Sequence, residues 1–430
     1  MTFLRNPFAW LAVLLAILVA GDAARTFPTQ VGIDFYHLWG VPMGQRASTE
    51  PISPYAQTQA YAALLNVIAD NSTSDALRWA NRFKREIAPT GTPLFYATFG
   101  FLPDDYGTAH ALFAVLQYLA GAAAVFILAR LRGLATWPAL CVAFAVELTF
   151  NPLVQDVKWG NATCFQLLFI AAALAVCQRR LYERSRTVDG AFLAALAVFV
   201  LFKPNTIWIA AALALHYAAV RGARRTAVAA ALALPAAAIA WGLGAWYFHD
   251  AAIWNEWLTY VRGGSLVYRF EEGNQSWPML LAQLAPGQDA YRFSILVSVF
   301  MAAVIAALLM RDGGGQVLVP RARAVLADPW AAASLGVLFT LAAAPLVWPY
   351  YHLFALVPIA WLILGERWDA AATCAALSYA ALSSPVLAIL VAGEQYTVLR
   401  MLMFLSWIPL LPAVWWRIAA PLQRAPALPG

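Results

Sequence analysis

The feature that most limits this chain is the spacing of its apolar runs. Stretches of about 15–23 residues with almost no charge recur from end to end, close to the roughly 17–25 that carry a helix across a bilayer. About twelve can be read: 7–24, 107–129, 134–150, 160–177, 189–203, 205–220, 226–244, 291–310, 330–347, 350–365, 370–392 and 398–416. Backbone polar groups in hydrocarbon must be satisfied within the segment, so such runs fold as helices. The residue balance agrees: 62% of the 430 residues are hydrophobic and 12% charged, against roughly 45–50% and 25% in a soluble domain. Charge this sparse cannot coat a soluble globule. It also argues against disorder, a coiled coil or nucleic-acid binding, despite the net +6. The expected fold is an all-α polytopic membrane protein with about 12 transmembrane helices, broken or re-entrant around Lys203-Pro204 and Pro349.

Arginine sets the orientation. Arg130 and Arg132, then Arg179, Arg180, Arg184 and Arg186, then Arg221, Arg224 and Arg225 fall in alternate loops. Arg311, Arg321, Arg323, Arg367, Arg417 and Arg424 continue the series. With twelve spans all lie on one side with Arg5 and both termini, the side the positive-inside rule makes cytoplasmic. The first run also resembles a signal peptide ending near 21–24, but an even helix count favours its retention. The expectation is a multi-pass protein of a bacterial inner membrane.

Two long polar stretches, 25–106 and 245–290, then become extracytoplasmic loops of one membrane-embedded unit, 1–430, without internal repeats. In the first, Ser74 and Asp75 cap a short helix. Ala76, Ala80, Phe83 and Ile87 share one face of it, and Arg78, Arg82 and Arg85 the other. A basic amphipathic helix of this kind lies in the membrane interface. The four cysteines, Cys141, Cys164, Cys177 and Cys374, sit in apolar runs without ligand spacing, and no disulfide is expected.

Ionisable groups within or beside spans are expensive, so each is a candidate for function. The chain has three lysines, Lys84, Lys158 and Lys203. Lys203 precedes a proline at one span end, and Lys158 stands before Trp159-Gly160-Asn161 at another. In a chain that otherwise uses arginine, such a lysine suits a point charge aimed at an anion. The plainer reading is an ammonium reaching to the headgroups. Asp34, between Ile33 and Phe35-Tyr36-His37, has the setting of a general base, or is a solvated loop acid. Asp104-Asp105 reads as a helix cap, and Glu147 has no assigned role. Glu271-Glu272-Gly273-Asn274-Gln275-Ser276 reads as a sugar or cation site, or as a solvated turn. His352 stands out among five histidines for its proline-broken junction at 345–352, with His37 second. Walker, dinucleotide, nucleophile-elbow and HExxH motifs are absent, so a transferase acting on the outer face must use a lipid-linked donor.

In order along nearly the whole chain, these segments resemble glycosyltransferase family 87. These are polytopic enzymes of the C-type glycosyltransferase fold that use polyprenyl-phosphate sugars, mannosyltransferases among them. The likeness rests on Asp34-Phe35-Tyr36, Pro-Leu-Phe-Tyr at 93–96, the segment 160–163, Lys203-Pro204, Asn274-Gln275-Ser276 and the segment 345–348. Asn161 stands where the family usually has Gln and Thr163 where it has Asn; Tyr350 and Tyr351 stand where it often has His. The resemblance implies inverting transfer of a mannose-like hexose from polyprenyl phosphate to a hydroxyl of a glycolipid or envelope glycan. It implies Asp34 as base, and Lys203, His352 and Lys158 around the donor phosphate. Tyr36, Asn161, Asn274, Gln275, Trp348 and Tyr350 would bind substrate. Membrane lipids are the other partners. No cofactor is expected, although Asp34 with Glu271 or Glu272 would hold a divalent ion if the two loops meet. The alternatives are a secondary transporter of a small solute, against which stands the lack of repeats, and an envelope polymer ligase or polymerase.

Overall fold

A computed structural model describes residues 6–26, 32–48, 52–86, 89–264, 274–285, 289–311, 314–365, 368–383 and 403–424. Among the described residues the chain is helical, with one isolated bridge, Phe150 to Ser383, and no strand. The first apolar run is α1 (Pro7–Thr26), followed by α2 (Ile33–Ala47), α3 (Thr58–Asp70), α4 (Asp75–Phe83) and α5 (Pro93–Thr98). Then come α6 (Tyr106–Leu131), α7 (Thr136–Thr149), α8 (Asn151–Trp159), α9 (Thr163–Gln178), α10 (Arg186–Phe202) and α11 (Ile207–Arg221). The middle of the chain forms α12 (Ala223–Tyr247), α13 (Ile253–Gly264), α14 (Trp277–Leu284), α15 (Ala290–Met310) and α16 (Leu318–Ala327). The last are α17 (Pro329–Ala343), α18 (Leu356–Ile363), α19 (Ala370–Ala381) and α20 (Leu410–Arg424).

Every apolar run holds a helix, but the helices are unequal. Among the described residues five are long and apolar enough to cross a membrane: α1, α6, α12, α15 and Met403–Ala420. Counting Gly315–Ala327 and Pro329–Ala343, which meet at 99°, as one broken span makes six. The others fall short of the expected spans: α7 has 14 residues and α9 has 16. Proline accounts for two of the interruptions. Pro204 lacks the N–H that would continue α10, so a 3-10 turn intervenes before α11. Pro349 opens a 3-10 stretch to Ala355 that leads into α18.

Inside lipid, helices associate through packing and small residues rather than water exclusion. α6 packs on α7 and α9, α10 on α12, α11 on α17, and α1 on α7. Gly336 of α17 lies against the α11 backbone, where an added Cβ would come 2.7 Å from Ile209 Cα and 2.9 Å from the Trp208 carbonyl. One apolar core runs through this bundle. A second, aromatic cluster joins Phe35, Trp39, Tyr61 and Tyr96 of the first loop to Phe113 and Trp254. Ile239 and Trp246 of α12 and Val299 and Phe300 of α15 are exposed, as suits lipid-facing surface. Asp105 caps α6 by accepting the Thr108 N–H at 2.7 Å, and Ser74 caps α4 through Leu77 N. Glu147 of α7 is buried against Gly121 of α6. All four cysteines are free, three of them buried.

The contact at Gly336 sets a stability expectation. Gly336→Val drives a branched side chain into the α11 backbone, and overpacking costs roughly 1–3 kcal/mol. Gly242→Ala on α12 meets nothing within 4 Å. Thermal scans in detergent should show a lowered midpoint for the first and an unchanged or raised one for the second.

Candidate functional site

The site begins at a buried acid whose hydrogen bonds are structural. Asp156 of α8 is fully buried. Its carboxylate accepts the Thr163 N–H at 3.1 Å and the Cys164 N–H at 2.8 Å, the free donors at the start of α9. Gln117 of α6 donates its amide to the Asp156 carbonyl at 2.9 Å and to the Asn161 carbonyl at 2.6 Å. Between α8 and α9 the chain turns at Gly160, whose φ of 70° is left-handed. An added Cβ on Gly160 would sit 2.4 Å from Phe35 Cβ. The turn therefore rests on the first turn of α2, and that close approach brings Asn161 to Asp34.

Asn161 stands between opposite charges. Its Oδ1 accepts from Lys203 Nζ at 2.5 Å and from Ala162 N at 2.8 Å. Its Nδ2 donates to Asp34 Oδ2 at 3.4 Å. The other carboxylate oxygen, Asp34 Oδ1, lies 3.9 Å from Lys84 Nζ, with both side chains about a quarter exposed (27% and 25%). The Tyr350 hydroxyl also reaches Asp34. Lys203 Nζ lies 5.5 Å from the ring centres of both Phe95 and Tyr351, within range of cation–π attraction. Thr92 fixes the backbone beneath it, its hydroxyl 2.7 Å from the Leu201 carbonyl and 3.0 Å from that of Phe202. Those carbonyls end α10, where Pro204 cannot complete the helical pattern. The same hydroxyl accepts the Phe95 N–H at 3.0 Å and so starts α5.

These groups line a cavity of about 950 Å³, at the upper end for a ligand pocket. Asp34, Lys84, Asn161, Lys203, Gln275, Trp348 and Tyr350 are on its wall. So are Trp159, Trp208 and Trp257, and an apolar patch of Ile207, Leu258, Val261 and Leu346. The remaining sequence candidates lie elsewhere. Lys158 is exposed, its ammonium 5.6 Å from the Trp159 ring centre, off the wall. His352 is fully buried, and its Nε2 pairs with Gln275 Oε1 at 2.8 Å. Tyr36 is buried and donates to Asn81 Oδ1 at 2.8 Å. Asn274 spends its amide on backbone, donating to the Pro345 carbonyl at 3.1 Å and accepting Val347 N–H at 2.9 Å. With Ser276, which donates to the Ala344 carbonyl at 2.8 Å, it clips the loop that carries Trp348. Glu271 and Glu272 lie outside the described residues.

Two wall residues went under-weighted in the sequence. The one signal of Lys84 in the sequence is that it is a rare lysine among arginines. His37 lies one helical turn from Asp34 on α2. Burial, with Lys84 beside it, pushes its imidazole well below the usual histidine range, so it is neutral at pH 7. Burial likewise raises the Tyr36 phenol above its ordinary value, which keeps it a hydrogen-bond donor.

Fold and site together define a multi-pass helical membrane protein with an acid held near two lysines on the wall of a large cavity. The model of glycosyltransferase family 87 matches residues 88–345, more than half of the chain, and the chain belongs to that family: it is a membrane glycosyltransferase. No curated protein and no solved structure matches it. Lys158, Asn161, Lys203, Asn274 and Gln275 fall within the matched span; Asp34, Tyr36, Trp348, Tyr350 and His352 fall outside it.

The Asp156 anchor has a measurable consequence. Asp156→Ala strips the acceptor from two buried N–H groups, at roughly 1–3 kcal/mol for each left unsatisfied. Its thermal midpoint should fall clearly below that of Asp156→Asn, which retains one acceptor oxygen. Equal midpoints for the two variants would remove Asp156 as the anchor of the turn.

Proposed function

We propose that the chain moves a mannose-like hexose from a polyprenyl-phosphate donor to a hydroxyl of a glycolipid or envelope glycan. The reaction takes place on the extracytoplasmic face of a bacterial inner membrane, within a C-type fold of about twelve membrane-inserted helices, both termini inside. The observation that carries this reading is the Asp34–Asn161–Lys203 chain on the wall of a chamber with aromatic and apolar sides. Aromatic faces suit sugar rings, and the apolar patch suits the first units of a polyprenyl tail.

In this mechanism Asp34 accepts the proton of the acceptor hydroxyl as its oxygen attacks the anomeric carbon. The bond from that carbon to the phosphate oxygen breaks, and its electron pair leaves with polyprenyl phosphate. One displacement inverts the anomeric centre. A general base contributes typically ~10²–10⁴-fold. Lys84 Nζ, 3.9 Å from Oδ1, and Asn161 Nδ2, 3.4 Å from Oδ2, hold the carboxylate in place for that role. The charge developing on the leaving phosphate needs a cation, and Lys203 is the group assigned to it. His352 and Lys158 are not assigned there: neither is on the chamber wall, His352 being fully buried with its Nε2 on Gln275.

Two variants test the roles separately. With radiolabelled polyprenyl-phosphate sugars in nanodiscs, Asp34→Asn should lose release of polyprenyl phosphate by about 10²-fold or more while still binding donor. Retained turnover in a folded Asp34→Asn protein would sink the base assignment. Lys203→Ala should weaken polyprenyl-phosphate binding, and Lys158→Ala should leave it unchanged. The reverse pattern would move the clamp to Lys158.

A further inference from the structure

The outer face of α4 is not the one expected from the sequence. Leu77, Ala80 and Asn81 turn inward, and Asn81 holds Tyr36 of α2. The exposed face carries Arg78, Trp79, Arg82 and Phe83, with Arg85 just beyond the helix end. Trp79 and Phe83 are 45% and 57% exposed, their ring centres 4.3 Å apart. This is an aromatic pair flanked by cations, rather than an apolar stripe opposite a basic one. Arg78 is paired with Asp75, whereas Arg82 and Arg85 have no counter-ion among the described residues. Glu86, next to Arg85 in sequence, lies on the chamber wall.

The place of α4 in the fold says what covers this face. It packs against α2, α3 and α6. α6 is a 26-residue apolar helix capped at its start by Asp105, so that start marks a membrane boundary. Indole and phenyl rings gather at such boundaries, and unpaired arginines beside them select negative over zwitterionic headgroups. We propose that the Arg78–Trp79–Arg82–Phe83 face of α4, with Arg85, is a docking surface for the headgroups of anionic phospholipids. The rings enter the headgroup layer, and Arg82 and Arg85 pair with lipid phosphates that carry net charge. A basic side chain at an anionic surface favours it by roughly fivefold. The proposal rests on membrane insertion alone, not on the transfer reaction.

The test places an environment-sensitive fluorophore on Trp79→Cys, with Cys374→Ser removing the one native cysteine that is not buried. The labelled protein goes into nanodiscs containing brominated phosphatidylglycerol or brominated phosphatidylcholine at equal mole fraction. The expected result is stronger quenching by the brominated phosphatidylglycerol. That preference should disappear in the Arg82→Gln/Arg85→Gln background and reverse toward phosphatidylcholine with Arg82→Glu/Arg85→Glu. Equal quenching by both lipids overturns the selectivity. Quenching by aqueous iodide with none from either lipid overturns the docking itself. Turnover is not read, so failure here leaves the transfer mechanism standing, and failure of that mechanism leaves this result intact.

Discussion

The candidate site depends on one fully buried carboxylate that is off the cavity wall. Asp156 neutralises the free N–H groups that open α9, and its carbonyl receives the Asn161 N–H at 2.9 Å. Through these bonds a helix start deep in the protein dictates where a loop amide is displayed. Charge burial is costly unless hydrogen bonds compensate it, and here two helix-terminal donors supply them, with favourable alignment to the helix dipole. The arrangement shows how a polar site in a helical membrane protein is held without a rigid sheet: helix ends act as fixed points, and side chains reach from one to another.

Asn161 has a second physical consequence. A lysine and an aspartate free to meet would form a direct ion pair, and each would blunt the other's chemistry. The neutral amide between them gives Lys203 an acceptor and Asp34 a donor, and so holds the two side chains at a fixed separation. Lys84 approaches the opposite oxygen of Asp34 at 3.9 Å, longer than a hydrogen bond, and the Tyr350 hydroxyl also reaches the carboxylate.

How far the sequence spoke for itself varied with the physics behind each signal. The apolar runs were legible because hydrocarbon enforces helices, but their lengths were not, since proline breaks such as Pro204 shorten them without changing hydropathy. Asp34, Asn161 and Lys203 stood out as polar residues beside span ends, and the fold brings these three together. His352 looked like a ligand because it follows prolines, yet Gln275, 77 positions away in sequence, takes its ring nitrogen. The Asn274-Gln275-Ser276 triplet looked like a sugar site, whereas Asn274 and Ser276 clip a loop. The face of α4 was misjudged because helical spacing alone did not reveal that Asn81 would be claimed by Tyr36. Pairings across such distances are set by tertiary packing, and one sequence does not display them.

The clip between Asn274–Ser276 and the 344–347 loop bears on how the protein is made. The chamber draws Asp34 and Lys84 from the start of the chain, Asn161 and Lys203 from its middle, and Trp348 and Tyr350 from near its end. A ribosome delivering residues in order therefore completes most of the helix bundle while the chamber still lacks a wall. Until that last loop is clipped, Trp348 and Tyr350 are missing from the wall that Asp34, Lys84 and Lys203 share with them.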